Sequence, residues 1–233
     1  MKKIYLNRDI ARLIALQRIE LLGPILKKIR KLFGRYFFTN FASKYFISPN
    51  LIGKKYLNSM EKEYEILKKY LNFNNKDILS IGSGMCGLEL IINNKSKDCF
   101  FHIIEKNYVS KKVTYGWDNN NNEAYNNLNL LTFFLIKNGM EEKKFKIYDF
   151  DLDTLPIVKF DLIISLFSLD YHYDFNLYHE YLKKNFNEKT QIIFDTIRPD
   201  YFEKIFKNVQ ILQDNYDTVH KSKRIICSEF INR

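Results

Sequence analysis

Apolar positions along this chain fall into two periods. Short dense runs at residues 78–81, 99–104, 144–148, 160–166 and 191–194 have the length of strands. The run FDLIISL is apolar at nearly every position, as a parallel strand covered on both faces is. Between these runs the spacing becomes helical: residues 59–71, the stretch from Leu88 onward, 123–137, 176–186 and the short 201–206. Asn138-Gly139 supplies a stop for the third of these helices. Two last runs, 209–212 and 224–231, predict an antiparallel pair joined by a polar loop. Strands alternating with helices predict an α/β fold built on a mostly parallel sheet.

A different pattern precedes this core. Residues 9–22 carry Ile10, Leu13, Ile14 and Leu21 at helical spacing, and Gly23-Pro24 interrupts them, with Pro24 placed to open a second helix. Over 24–38, Ile25, Leu26, Ile29, Leu32, Phe33, Tyr36 and Phe37 share one face and Lys27, Lys28, Arg30, Lys31 and Arg35 fill the rest. A basic amphipathic helix of this type lies on an anionic membrane surface, docks an acidic partner, or packs on the main domain with a solvated cationic side. Phe38, Phe41, Tyr45, Phe46 and Tyr56 follow, aromatics that suit a lid, a core or stacked nucleic-acid bases, nucleic acid being the weakest of the three. Asn58-Ser59-Met60-Glu61 reads as a capping box that starts the next helix. The expected division is therefore a helical extension over residues 1–58 and a main domain over 59–233.

Charge sharpens that division. The 233-residue chain has a formal net charge of +10. Residues 1–58 alone sum to +11, with only Asp9 and Glu20 as acids, so the remainder is close to neutral. No run approaches the roughly 18–20 apolar residues of a membrane span, and Met1-Lys2-Lys3 leads into a charged helical pattern, not a secretory signal. Cys86, Cys99 and Cys227 are few and scattered, and the four histidines show no metal-ligand spacing. The expectation is a cytoplasmic protein without a metal, possible contact with a membrane being peripheral.

The chemistry concentrates at strand ends. Asp77 to Leu90, DILSIGSGMCGLEL, reads as a strand, a tight turn and a helix start, with Gly82, Ser83, Gly84 and Gly87 in the turn. Glycine there permits positive φ and lets a ligand approach the backbone. The N–H groups opening the helix favour an anionic or polar ligand. About twenty residues on, the second strand ends in Glu105, placed to accept hydrogen bonds from ribose hydroxyls. Together these point to a nucleoside-containing cofactor. Asp149 and Phe150 follow the third strand, where an acid and a neighbouring N–H match an adenine edge. The fourth strand ends in Ser165 and leads to Asp170, Tyr171, His172 and Tyr173, a reaction-site candidate because ligands of open α/β sheets sit at strand carboxyl ends. His172 is the candidate base, positioned by Asp170 and Tyr173. Trp117, the one tryptophan, and Tyr171 are candidate substrate contacts.

With LSIGSGMCG, the strand ending in Glu105, the Asp149 loop, FDLIIS and the closing two-strand unit in order, residues 59–233 resemble the class I S-adenosylmethionine-dependent methyltransferases. The resemblance implies a Rossmann-like seven-stranded sheet, mostly parallel, whose last strand is antiparallel. It implies S-adenosyl-L-methionine as cofactor, with methionine and ribose at Gly82–Gly87, ribose hydroxyls on Glu105, adenine at Asp149-Phe150 and the acceptor near residues 165–173. One position departs: where the family commonly has an acid two residues before the first glycine, this chain has Ser80. Glu89 or a water is the candidate replacement. No Asn/Asp-Pro-Pro-Tyr or Pro-Cys follows the fourth strand, which counts against methylation of DNA bases; SLFSLDYHY is loosely similar to small-molecule and sugar methyltransferases. The expected reaction is methyl transfer to oxygen or nitrogen of a small polar acceptor, acidic or sugar-like. An NAD(P)-dependent oxidoreductase, a non-catalytic binding protein on the same fold and, as a substrate variant, an RNA methyltransferase remain as alternatives.

Overall fold

The computed structural model describes residues 3–71, 77–96, 98–110, 124–215 and 221–231. Its strands are β1 (Asp77–Ile81), β2 (Phe100–Glu105), β3 (Phe145–Asp149), β4 (Leu162–Ser165), β5 (Gln191–Thr196), β6 (Phe206–Asp214) and β7 (Lys223–Phe230). They form one seven-stranded sheet of order β3-β2-β1-β4-β5-β7-β6. The first five strands pair in parallel, and β7 runs antiparallel between β5 and β6. This is the mostly parallel α/β sheet that the apolar runs predict, in the Rossmann-like seven-stranded form that the resemblance implies.

The helices are α1 (Arg8–Gln17), α2 (Pro24–Phe37), α3 (Ser43–Tyr45), α4 (Pro49–Leu67), α5 (Gly87–Lys95), α6 (Leu128–Lys137), α7 (His179–Asn185) and α8 (Pro199–Phe202). Successive strand residues point to opposite faces, and the core divides accordingly. Ile78, Phe101, Ile103, Leu162, Ile164 and Ile193 pack with α1, α4, α5 and α6. Leu79, Ile81, Ile104, Ile163, Ile192 and Phe194 pack with α7, α8 and the aromatics Phe175, Phe202 and Phe206. Each large apolar side chain withdrawn from water this way contributes roughly 1.5–3 kcal/mol.

The N-terminal segment divides in two. α1 is integral to the core: Ile10, Ala11, Leu13, Ile14, Ala15 and Leu16 are all buried. α2, in contrast, buries no residue completely and is kinked at Gly34, whose φ is +81°.

Several boundaries differ from the sequence reading. The helix expected from residue 58 starts at Pro49, with Ser48 as N-cap. Proline at the first helical position is preorganised and loses no hydrogen bond there, so the run continues straight through the Asn58-Ser59 pair and the 58/59 division falls inside α4. The helix expected from residue 123 begins at Leu128, where Asn127 Oδ1 accepts the Leu130 N–H at 3.0 Å. Tyr125, just before it, forms an antiparallel bridge with Val109 instead. The helix expected over 201–206 is α8, four residues earlier in its end, because Phe206 already belongs to β6. The expected helix end at 72–76, and residues 111–123 with Trp117, lie outside the described residues.

Candidate cofactor and reaction site

β1 stops at Ile81 and α5 starts at Gly87, leaving five residues for the turn. Gly82 and Gly84 both adopt φ +63°, the left-handed region. A Cβ on Gly82 would stand 1.9 Å from Ser168 Oγ, and one on Gly84 would stand 2.6 Å from Gln17 Oε1. Gly87 opens α5 and donates its N–H to Tyr56 Oη at 2.9 Å. The Tyr56 ring fills the space a Gly87 side chain would need, its Cζ 2.6 Å from that Cβ position. Ser83 Oγ lies 3.0 Å from Cys86 Sγ across the turn.

Two buried acids flank this turn. Glu105 ends β2 and accepts the N–H of Gly84; the more distant Lys106 N–H approaches its other oxygen at 3.3 Å. Burial pushes the Glu105 carboxyl up to about 7, against the stabilising hydrogen bonds of Gly84 and Asn126. Asn126 also donates to the Gly84 carbonyl at 3.0 Å. Glu89, in the first turn of α5, is 2% exposed and accepts the Ser80 hydroxyl at 2.8 Å. Burial raises its carboxyl too, while the Ser80 bond and the Arg18 charge oppose the rise.

The Asp149 loop is internally bonded. Asp149 Oδ1 accepts the Asp151 N–H at 3.1 Å and the Asp149 N–H donates to Asp153 Oδ2 at 2.8 Å. The Phe150 N–H donates to the Glu105 carbonyl at 2.8 Å, so the loop N–H expected to face a base edge is engaged in the sheet. Phe150 packs on Tyr178 at 5.4 Å between ring centroids, and Lys106 Nζ lies 5.2 Å from the Phe150 ring.

The loop after β4 is tightly held. Ser165 Oγ donates to the Ile81 carbonyl at 2.8 Å and accepts the Leu169 N–H at 3.0 Å, tying β4 to the end of β1. Its one donor and one of its two acceptor positions are thus engaged within the protein. Phe167 and Asp170 adopt φ of +55° and +56°, a strain of about 1–3 kcal/mol each that only surrounding contacts can hold. Those contacts are visible. The Phe167 N–H donates to Asp195, and the Ser168 carbonyl accepts from Tyr171, His172 and Tyr173. The Asp170 carboxylate is fully buried on Thr196 Oγ1 and Arg198, the latter at 2.6 Å. Asp170 therefore anchors the turn to β5 and α8. On that turn His172 is exposed, Tyr171 and Tyr173 half-buried, and the Tyr171 and His172 rings meet edge to face at 5.0 Å. Trp117 lies outside the described residues.

Sequence reasoning missed several neighbours of this site. Gln17, the last residue of α1, lies over Gly84 and donates to the Tyr125 carbonyl at 2.7 Å. Arg18 stands 5.8 Å from the Phe167 ring, and Arg224 lies 5.3 Å from the same ring. The fully buried Arg224 is held by Asp195 at 3.1 Å and by Glu63 of α4. No local signal marks Gln17, Arg18 or Tyr56, because their proximity arises from α1 and α4 packing beside the glycine turn.

No family model matches the sequence, and no curated protein does either. Solved structures do match. The mitomycin 7-O-methyltransferase MmcR aligns at 10% identity over 77% of this chain and 56% of its own, with a TM-score of 0.50. PigF with SAH aligns at 14% identity, covering 77% and 59%, with a TM-score of 0.49. The S-adenosylmethionine-dependent methyltransferase SibL in its apo form aligns at 9% identity, covering 76% and 59%, with a TM-score of 0.48. This chain spans less than two thirds of the length of each. Sheet order, strand directions and the likeness to MmcR agree: the chain has the fold of the class I S-adenosylmethionine-dependent methyltransferases.

Proposed function

We propose that the chain is an S-adenosylmethionine-dependent methyltransferase acting on oxygen or nitrogen of a small polar acceptor. The observation that carries this reading is the buried Glu105 carboxyl set against the Gly84 N–H, on a turn that needs glycine at 82 and 84. A ligand with paired hydroxyls is the natural partner for such a carboxyl.

The donor set suits the cofactor even at Ser80, the position that departs from the pattern of the family the chain resembles. Ser80 carries no charge, but it orients Glu89, and the buried Glu89 carboxylate would face the methionine ammonium. The Gly82–Gly87 turn would lie against the methionine and ribose, Glu105 would take the ribose hydroxyls, and the Asp149 loop would border the adenine. When bound, S-adenosylmethionine supplies an electrophilic methyl group on a sulfonium. The protein's part is then alignment of the acceptor and removal of one proton. His172, exposed on the braced turn, takes that proton. Tyr173 and Tyr171 contact the acceptor, and Asp170 positions His172 through the turn it locks to Thr196 and Arg198.

The sheet disfavours the oxidoreductase alternative, since dinucleotide enzymes use an order 3-2-1-4-5-6 without an antiparallel insertion. The binding-protein alternative draws on Ser80, and the Ser80–Glu89 bond weakens it. The test is S-adenosylhomocysteine formation from S-adenosylmethionine with panels of hydroxylated and amino small molecules. Turnover that falls with His172→Ala supports the reading. Cofactor binding without turnover on either panel favours the binding protein.

A further inference from the structure

Residues 21–60 contain eight Lys and Arg and not one acid. In their midst α2 turns its apolar side outward. Ile25, Leu32, Phe33, Tyr36, Phe41 and Phe46 are between 47% and 74% exposed, far beyond the scattered single hydrophobics of an ordinary surface. The rings form a continuous ladder. Phe33 to Phe37, Phe37 to Phe41 and Phe41 to Tyr45 are 5.3, 5.2 and 5.0 Å apart between centroids. The kink at Gly34 and the π-turn over Phe38–Ala42 carry the chain through this stack. Lys27, Lys28, Lys31, Arg35 and Lys44 are exposed around it. α2 is nevertheless anchored, since Leu26 and Ile29 pack on the core and follow directly from the buried Leu21 and Leu22.

We propose that α2 and the aromatic ladder to Phe46 form a docking surface for an anionic lipid bilayer. The rings enter the headgroup boundary and the surrounding cations pair with acidic lipids. Charge complementarity calls for an anionic occupant, and the exposed ring ladder beside the cations suits a bilayer interface. A second copy seated on the same face would bring two all-cationic sets together, which like-charge repulsion opposes. No helix of the described residues is long and apolar enough to cross a membrane, so the attachment is to the surface. This inference is independent of the methyl-transfer reading.

The experiment is co-sedimentation of the full chain with phosphatidylcholine vesicles, with and without phosphatidylglycerol. The expected result is binding to the mixed vesicles only, weakened by raising salt from 0.1 to 0.5 M. Lys27→Glu/Lys28→Glu/Lys31→Glu should weaken it roughly a hundredfold. Phe33→Ser/Phe37→Ser/Phe41→Ser, whose positions are exposed, should weaken it about tenfold or more while the circular dichroism spectrum stays unchanged. Absence of binding at low salt by the folded chain overturns the proposal. So does binding that ignores the aromatic substitutions, or a dimer in light scattering that those substitutions dissolve.

Discussion

The Ser80 hydroxyl donates to Glu89 Oε1 at 2.8 Å, joining the end of β1 to the first turn of α5. On the proposed reading, the pair places an acid on the helix instead of at the end of the strand. Burial raises the Glu89 carboxyl, and a backbone N–H, the Ser80 hydroxyl and the Arg18 charge oppose the rise. A cationic ligand group beside such a buried acid would favour its charged form.

Glu89→Gln keeps the shape and the Ser80 contact but removes the charge. S-adenosylhomocysteine affinity should fall about 10- to 100-fold, the worth of a hydrogen bond to a charged group. The melting temperature should hold or rise, because a buried acid has been neutralised. Calorimetric titration beside thermal unfolding checks both; a large loss of stability with unchanged affinity contradicts the role.

Glu105 gives a pH signature. Its carboxyl is raised to about 7 by burial, against roughly 4.3 in the unfolded chain. The folded state therefore binds more protons between those values, and the Glu105 contribution to stability is present in acid and lost as pH rises through 7. A ligand whose hydroxyls donate to Glu105 favours the ionised form. Affinity should thus climb about tenfold from pH 6 to pH 8, and Glu105→Gln should flatten the profile. An affinity that falls over this range would falsify the assignment.

Gly82 and Gly84 share the same φ but differ in their neighbours. Alanine at either incurs the left-handed penalty of about 1–2 kcal/mol. Gly84→Ala meets the end of the Gln17 side chain, which can swing away; Gly82→Ala meets Ser168, buried in a loop held on all sides. Gly82→Ala should be the more destabilising, by about 1–3 kcal/mol. The double variant with Ser168→Gly should recover part of the loss. Denaturant titrations of the three proteins measure this.

Asp170 and His172 should separate cleanly. Asp170→Asn breaks a buried carboxylate's pairing with Arg198 and Thr196 and should cost about 2–3 kcal/mol of stability. His172→Ala, at an exposed position, should leave unfolding nearly unchanged and lower turnover by about 10²–10⁴. A rate loss under tenfold removes His172 from the base role.

The strands, the glycine turn, Glu105 and the closing antiparallel pair were legible because each is marked locally, by a dense apolar run or by glycine spacing. Boundaries shifted where two local signals competed: Ser48-Pro49 outranked Ser59-Met60-Glu61 as a helix start. The expected adenine contact at the Phe150 N–H met a register fact, since that group extends the pairing with β2. Least legible were contacts made by distant segments. Gln17 over Gly84 and Tyr56 against Gly87 depend on how α1 and α4 pack, and nothing in their own sequence announces it. Asp170 reads locally as a polar loop residue, yet its positive φ and complete burial come from a partner 28 residues away.

Calorimetric titration of the purified chain with S-adenosylhomocysteine, NAD run beside it, tests the central claim most directly. The expected result is micromolar binding of S-adenosylhomocysteine, loss of that binding in Glu105→Ala with the fold intact, and no heat from NAD. Binding of NAD in its place, or of neither compound by the folded chain, would contradict the account.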